Sequence, residues 1–311
     1  MRGWWRDLTD LVLPAECGGC GRPRTVLCPE CRAALTGAVP SRVRPEPEPP
    51  GLPVVHAAAP YEDEVRAVLL AHKERGALML AGPLGAALAR AVRAGLATGG
   101  GSGAGGWSGA GGRRGAAGLV PCADGFGGMG GVGVSWTPVS LVPVPSAPWA
   151  VRARGHDPAR RIALAAAGEL RRTGTPARVL AVLRQRRAVA DQSGLNSRQR
   201  LDNLAGALEV AAGGARLLAG GGRVVLVDDL MTTGASLAEA ARALEAAFAT
   251  GTGPYGRVTP KVTREGMARA TATGVGRPEA VREMRGANGA EGRLGAAVVA
   301  ATPASFEINR N

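Results

Sequence analysis

The chain has 311 residues, enough for one or two domains, and its 45% hydrophobic and 20% charged residues allow most of it to fold around a core. The formal charge is +13, but Lys73 and Lys261 are the only lysines. A GC-rich genome gives its proteins this arginine-rich composition, so the charge alone does not identify nucleic acid as a partner.

Several classes of protein are excluded by local patterns. There is no Gly-X-Y period, which excludes a collagen. Arg2, Arg6 and Asp7 interrupt the first apolar stretch before the core of a signal peptide can form. The longest uncharged stretch, 125–151, is too rich in glycine and proline for a membrane-spanning helix. We therefore expect a cytoplasmic protein with no membrane insertion.

Four of the five cysteines form two C-x-x-C pairs near the N-terminus, seven residues apart. Each pair can place two thiolates on one turn, and two such turns make a closed tetrahedral site. The pattern favours a structural Zn²⁺ ion in a small ribbon over 1–38; a redox dithiol and an iron–sulfur cluster are the alternatives. The fifth cysteine, Cys122, is interpreted as a free thiol in a loop. The predicted ligands are Cys17, Cys20, Cys28 and Cys31.

The next segments along the chain alternate between order and low complexity. Residues 39–53 are rich in proline and predict an extended linker. A strand is expected over 54–59, and helices over 62–75 and 77–97, the second bent near Pro83. In the segment that follows, 17 of the 35 residues between positions 99 and 133 are glycine, which predicts a disordered insertion over 99–135.

The remaining chain predicts the core of an α/β domain over 136–250, closed by 294–311. Apolar runs predict strands and 3.6-residue periodicity predicts helices in alternation, which is typical of a mostly parallel sheet flanked by helices. Scattered charge over 251–293 predicts a second flexible insertion. The predicted strands are 139–144, 179–183, 223–227 and 296–301, and the predicted helices are 158–172, 197–208 and 237–249.

The strand 223–227 is followed by two acids and then by a turn rich in hydroxyl groups that opens a helix. Unpaired N–H groups and the positive end of the helix dipole favour a phosphate there, and carboxylates at the carboxyl end of a strand suit ribose hydroxyls. The sequence lacks both the Walker A and the dinucleotide-binding glycine patterns. A plain strand-to-helix turn is the alternative. The residues concerned are Asp228, Asp229, Thr232, Thr233, Gly234, Ala235 and Ser236.

Two arginine-rich segments are candidates for a second anion site. Arg152 and Arg154 follow the strand 139–144, and guanidinium groups suit bidentate contacts with phosphate. Arg184, Arg186 and Arg187 lie in a basic loop that is suited to closing over a reacting centre. In an arginine-rich chain, solvated basic turns are the alternative for both segments.

The loop from Asp228 to Ser236 resembles the signature of the type I phosphoribosyltransferase family. The order of the Pro-Val-Pro strand, the Arg-x-Arg-Gly element and this loop, together with the four cysteines, resembles the ComF subfamily, which is associated with competence for DNA uptake. The resemblance implies a phosphoribosyltransferase-like fold. It also implies that Asp228 and Asp229 hold the ribose of phosphoribosyl pyrophosphate. The positions implied for its phosphates are Thr232, Thr233, Gly234, Ala235, Ser236, Arg152, Arg154 and Arg187.

The activity implied by the resemblance is the Mg²⁺-dependent transfer of a phosphoribosyl group to a nitrogen acceptor that the sequence does not identify. The alternatives are a non-enzymatic, nucleotide-sensing factor that binds single-stranded DNA, and an adaptor that contacts DNA-uptake proteins through its ribbon. A shortage of aromatic residues argues against a dedicated surface for stacking bases. His56, His72 and His156 are scattered in the sequence and are interpreted as structural or surface residues.

Overall fold

The computed structural model describes residues 16–98, 138–189, 194, 196–219, 222–251 and 294–309. The first predicted insertion, 99–135, lies outside the described residues. So does the second, 251–293, apart from Gly251 at the end of a helix.

The centre of the molecule is a six-stranded sheet in which every neighbouring pair except the first is parallel. The spatial order is β1-β2-β8-β7-β3-β4, so β7 lies inside the sheet. This arrangement confirms the prediction of an α/β fold with a mostly parallel sheet. Strand β7 contains both acids, whereas the sequence predicted a strand over 223–227 that ends before them. The strands are β1 (Ser41–Val43), β2 (Val55–Pro60), β3 (Val139–Pro143), β4 (Ala177–Val179), β7 (Val224–Met231) and β8 (Leu294–Ala301).

Helices cover both faces of the sheet. Alternate residues of β7 enter two separate apolar clusters, Val225 and Val227 on one face and Val224 and Leu226 on the other. The first face packs against α3 and α5, and the second against α8. The helices are α1 (Pro29–Thr36), α2 (Asp63–Lys73), α3 (Ala81–Thr98), α4 (Pro148–Arg154), α5 (Pro158–Arg172), α6 (Ser197–Leu204), α7 (Gly214–Leu218) and α8 (Ala235–Gly251).

Local sequence explains where two of the longer helices begin. In α5, Pro158 occupies the first turn and the Asp157 side chain accepts a hydrogen bond from the Arg160 backbone N–H, which fixes the N-terminus of a helix whose limits, 158–172, were predicted. A short 3-10 turn, Leu78–Leu80, precedes α3. Pro83 therefore falls in the first turn of α3, where no N–H donor is needed, and the bend predicted at this residue is wrong.

The segment predicted as one strand over 179–183 is divided between two sheets. Its first residue, Val179, ends β4 (Ala177–Val179). Its last residue, Leu183, begins β5 (Leu183–Gln185), which pairs antiparallel with β6 (Leu208–Val210) in a separate two-stranded sheet. Between these two strands, α6 begins with a capping box in which Asn196 and Gln199 satisfy each other's backbone N–H groups.

The proline-rich segment 39–53, expected to be a linker, packs on the domain. Residues 41–43 form the edge strand β1, and Pro45 and Pro49 are buried. The N-terminal cysteine unit is likewise continuous with the domain, because Leu27 and Leu35 belong to the same apolar cluster as Leu84 of α3. The tertiary contacts therefore join the predicted ribbon, linker and α/β core.

None of the helices in the described ranges combines the length and the apolar character needed to cross a bilayer.

Candidate functional site

The four predicted cysteine ligands converge on one point near the N-terminus. The Sγ atoms of Cys17, Cys20, Cys28 and Cys31 all lie within 4.8 Å of one another, and those of Cys20 and Cys28 are 3.6 Å apart. A tetrahedral site with Zn–S bonds of about 2.3 Å has sulfur–sulfur edges of roughly 3.8 Å. The cluster therefore has the dimensions of a four-thiolate metal site.

The backbone around the cysteines stabilises negative sulfur atoms. The N–H of Cys28 donates to Cys17 Sγ at 3.3 Å, and the N–H of Cys31 donates to Cys28 Sγ at 3.4 Å. Burial opposes ionisation of Cys17, but backbone N–H groups outweigh it and lower the pKa of its thiol to about 6. Burial and the neighbouring sulfurs raise the pKa of Cys31. Such a crowded set of thiols suits a cation, which stabilises all four as thiolates.

A glycine permits the close approach of the two C-x-x-C turns. A Cβ atom placed on Gly19 would lie 2.6 Å from Cys31 Sγ, which is closer than real Cβ atoms come to a sulfur. Cys28 also accepts the hydrogen bond that caps α1, whose first turn contains Cys31. The second C-x-x-C pair is thus placed by the start of a helix, and the first by a turn that requires glycine.

The second candidate site lies at the carboxyl end of β7. Asp228 is half-buried and Asp229 is buried, with only 5% of its surface exposed. Asp228 Oδ1 accepts a hydrogen bond from the Asp229 N–H at 2.9 Å. Burial, followed by the neighbouring Asp229 charge, raises the pKa of Asp228 well above its ordinary value. Two adjacent acids held this way suit hydroxyl groups that donate hydrogen bonds to them, or a divalent cation that offsets their charge.

Lys73 at the end of α2 supplies one positive partner. Its Nζ lies 3.0 Å from Asp229 Oδ2. The charge of Asp229 is the main reason that the pKa of Lys73 is raised, Asp228 adds to the effect, and the positive charge of Arg154 opposes it. These interactions place Lys73, both acids and Arg154 within one electrostatic neighbourhood. Arg154 also forms an ion pair of 3.3 Å with Glu74.

The predicted phosphate loop follows the acids directly. Thr232, Thr233 and Ser236 are all partly exposed, and Gly234 adopts a left-handed φ of 74° immediately before α8. The Gly234 carbonyl accepts the hydrogen bond from Ala238 that begins the helix. The turn therefore presents hydroxyl groups beside the N-terminus of a 17-residue helix, where an anion is stabilised.

Two other segments contact this loop. Arg200 of α6 donates to Thr232 Oγ1 at 3.1 Å. On another side, a Cβ atom on Gly234 would lie 3.1 Å from Leu52 and 3.2 Å from Pro45, so the proline-rich segment passes directly over the glycine. The loop thus lies between α6 and a strap formed by residues 44–53.

The predicted arginines have different surroundings. Arg154 lies near the acids as described, whereas Arg152 is exposed on α4. Arg187 donates to the carbonyls of Asn203 and Ala205 at 2.8 and 2.9 Å, which anchors it to the end of α6. Arg184 pairs with Glu209 across the β5–β6 hairpin. Phosphate binding by Arg152 and Arg187 stays a prediction.

The three histidines are all buried, and the fold brings two of them together. The rings of His72 and His156 meet edge to face with centroids 5.5 Å apart, and His156 Nε2 lies 3.2 Å from the His72 carbonyl. The pair joins α2 to the loop before α5, beside Lys73 and Arg154. Its position indicates that it holds these two charged residues in place.

The sequence-based set of site residues omitted Lys73 and Arg200. Arg200 is one arginine among many, so nothing in its residue type distinguishes it. The composition does distinguish Lys73, because it is one of only two lysines in an arginine-rich chain. The other lysine, Lys261, lies outside the described residues.

Comparison with known proteins does not assign a function to these sites. No protein-family model matches the chain, and no curated protein matches it either. The functional interpretation therefore depends on the chemistry of the two sites.

Proposed function

We propose that the chain binds phosphoribosyl pyrophosphate at the carboxyl end of β7 and transfers its phosphoribosyl group to a nitrogen acceptor. The observation that carries this proposal is the direct succession of two buried or half-buried acids and a hydroxyl-rich turn at the N-terminus of α8. A ribose 5-phosphate is suited to this combination, because its ring hydroxyls can donate to the acids while its phosphate accepts from the turn.

Each group has a role in this proposal. Asp228 and Asp229 accept hydrogen bonds from the ribose hydroxyls and lie near the positive charge that develops at the ribose carbon. Thr232, Thr233 and Ser236 donate to the 5′-phosphate, together with the backbone N–H groups of the turn. Catalysis of this kind depends on positioning and on preorganised charge.

The leaving pyrophosphate needs positive charge at the same edge of the sheet. Arg154 supports this role because its charge acts on Lys73, which itself pairs with Asp229. Mg²⁺ bound with the donor supplies further neutralisation of the pyrophosphate charge. The paired acids fit such an ion, because a divalent cation would offset both the burial and the neighbouring Asp229 charge that raise the pKa of Asp228.

We also propose that the cysteine cluster holds a structural Zn²⁺ ion. Four thiol ligands within 4.8 Å of one another can fill a tetrahedral coordination shell, which suits a structural role rather than a catalytic one. Because Cys28 and Cys31 pack into the same apolar cluster as α2 and α3, the ion stabilises the side of the domain that carries Lys73. The role in DNA uptake implied by the resemblance stays a prediction.

Thermal unfolding tests donor binding. We expect phosphoribosyl pyrophosphate with Mg²⁺ to raise the unfolding midpoint, since a ligand at one hundred times its Kd stabilises the native state by about 2.7 kcal/mol. Asp229→Asn should abolish the shift. Glu245→Gln makes the same change of charge at an exposed position on α8 and should retain it. A shift that is equal in both variants would contradict binding at the acids.

Transfer needs a separate measurement, in which pyrophosphate release is followed with the donor, Mg²⁺ and a panel of purine, pyrimidine and amine acceptors. We expect release that depends on one acceptor class and is lost in Asp229→Asn. Donor binding without release in the presence of any acceptor would refute the transferase proposal and leave a donor-binding protein.

A further inference from the structure

A partly open cavity of about 420 Å³ lies at the amino-terminal ends of β2, β7 and β8. The acids are at the opposite ends of these strands. Val225 lines the cavity and precedes Asp229 by four residues, which corresponds to about 13 Å along a strand. The cavity is therefore separate from the proposed donor site.

The polar groups of this cavity are basic or neutral. Arg42 and Arg223 line it together with His56 and Thr98, and no acidic residue is among the described residues that line it. Arg223 donates to the carbonyls of Leu96 and Gly95 at 3.3 and 3.4 Å, using two of the five N–H donors of a guanidinium group. The guanidinium group is thus oriented by α3 while it retains donors for a ligand.

His56 is the most deeply placed polar residue of the cavity. It is 3% exposed, and its Nδ1 is buried with no hydrogen-bond partner in the part of the chain that the structure describes. Its Nε2 lies 3.4 Å from Thr98 Oγ1. A buried ring nitrogen without a partner costs free energy unless a ligand or water supplies one. The imidazole therefore indicates a polar ligand inside the cavity.

The charge around His56 is positive. Burial lowers the pKa of His56, and the charges of Arg42 and Arg223 lower it further. The imidazole is consequently neutral at physiological pH and can donate or accept one hydrogen bond at each nitrogen. An anion in the cavity faces the guanidinium group of Arg223, and among the described residues that line the cavity there is no carboxylate.

The remaining wall is apolar and has room for a hydrocarbon body. It is formed by side chains of β7, β8, α3 and the residue before β2. A ligand that fills this space with apolar atoms gains free energy from their burial, in addition to the pairing of its charge. The apolar lining residues are Val54, Val92, Leu96, Val225, Leu294 and Ala296.

We propose that this cavity binds a small amphiphilic acid, with its anionic head on Arg223 and His56 and its apolar body against α3 and the sheet. The head is a carboxylate or a phosphate monoester, since both present oxygen acceptors to guanidinium groups. The site is independent of the donor site, so either proposal can fail without the other.

Calorimetric titration of the full chain with octanoate, octyl phosphate and 1-octanol tests the ligand chemistry. We expect one equivalent of either acid to bind, and the neutral alcohol to bind at least about tenfold more weakly because it lacks the charge. The stronger of the two acids identifies the type of head group. Equal binding of octanol, or no saturable binding of either acid, would overturn the proposal.

A pair of substitutions at the mouth of the cavity tests its location. Val54 is 45% exposed, so Val54→Glu and Val54→Lys both leave the core intact. We expect Val54→Glu to weaken binding of the acid about fivefold and Val54→Lys to strengthen it, through one added charge. Stabilisation by phosphoribosyl pyrophosphate should be the same in both. Identical affinities for the acid in the two variants would place it elsewhere and refute the assignment.

Discussion

The cysteine cluster and the site formed by Asp228, Asp229 and the turn 232–236, here called the acid–phosphate site after its proposed ligand, are assembled in opposite ways. The four cysteines lie within 15 residues of sequence, and a glycine turn and the first turn of α1 bring their sulfur atoms together. The acid–phosphate site combines β7 and α8 with Lys73 of α2, Arg154 of α4 and Arg200 of α6. One site is local in sequence, whereas the other is made by the fold.

The difference also appears in the electrostatics. The cysteine cluster gathers groups of one kind, whose repulsion as thiolates is relieved only by a cation. The acid–phosphate site already contains its own counter-charge, because Lys73 pairs with Asp229. We therefore expect the first site to depend on a metal for stability, and the second to be partly neutralised before any ligand binds.

The largest expected effect is the loss of a cysteine ligand. Cys28→Ser removes a fully buried sulfur that caps α1, and we expect it to eliminate bound zinc and to lower the free energy of unfolding by at least about 4 kcal/mol. Metal analysis and chemical denaturation measure the two effects. Cys122→Ser is the matched control and should retain both properties. One equivalent of zinc in Cys28→Ser would contradict a four-cysteine site.

Two glycines at the first C-x-x-C pair, one inside it and one directly after it, distinguish the effect of a steric contact on metal binding from the effect of backbone strain. Gly19→Ala forces a Cβ atom against Cys31 Sγ, and we expect it to weaken metal binding and to cost about 2–3 kcal/mol of unfolding free energy. Gly21→Ala meets no neighbouring atom but places alanine at a φ of 76°, which costs about 1 kcal/mol. Equal metal affinities would show that the close contact does not limit the cluster.

At the acid–phosphate site, Lys73→Met leaves the Asp229 carboxylate buried without its partner. We expect a loss of about 2 kcal/mol in the free energy of unfolding, less than for a fully buried pair because the Lys73 side chain is partly exposed. Adding Asp229→Asn should recover much of this loss in urea denaturation. A double variant no more stable than Lys73→Met would show that the two residues are not coupled.

The pKa of Lys73 fixes the pH dependence of this interaction. The pKa is raised in the folded protein, so the stabilising contribution is complete below the ordinary lysine value and disappears as the pH rises through the raised one. Because Lys73 also lowers the pKa of Asp228, the effect is measured in the Asp228→Asn background. There, the loss of stability caused by Lys73→Met should be constant at neutral pH and shrink only in strongly alkaline solution. If the loss of stability changed between pH 6 and 8, a group other than Lys73 would be responsible for it.

The smallest expected effect is a gain in stability. The pKa of Asp228 is raised by folding, so its ionisation destabilises the native state as the pH rises above the ordinary aspartate value. We expect Asp228→Asn to stabilise the protein by about 1 kcal/mol at neutral pH, to have no such effect near pH 3, and to abolish binding of the donor. Stabilisation at both pH values would exclude ionisation of Asp228 as the cause.

Much of the fold and part of each site follow from local sequence. The spacing of the cysteines predicts a cluster that the structure confirms, because a metal knuckle is a short-range feature. The strand that includes the apolar run before Asp228 and the helix that follows Gly234 are also confirmed, because both are encoded by the periodicity of neighbouring residues. The limits of 158–172 are confirmed as well, since a proline and a capping aspartate mark the start of that helix.

Other features were decided only by the tertiary structure. The partnership of Lys73 with Asp229, 156 residues later in the chain, depends on how α2 packs against the sheet, and no local pattern encodes it. The same holds for the strap over Gly234, where buried prolines replace the expected linker, and for the cavity that His56 shares with Arg223. Sequence by itself determined which residues carry charge, sulfur and hydroxyl groups. The order of the strands determined which of them meet, because it brings distant segments to the same edge of the sheet.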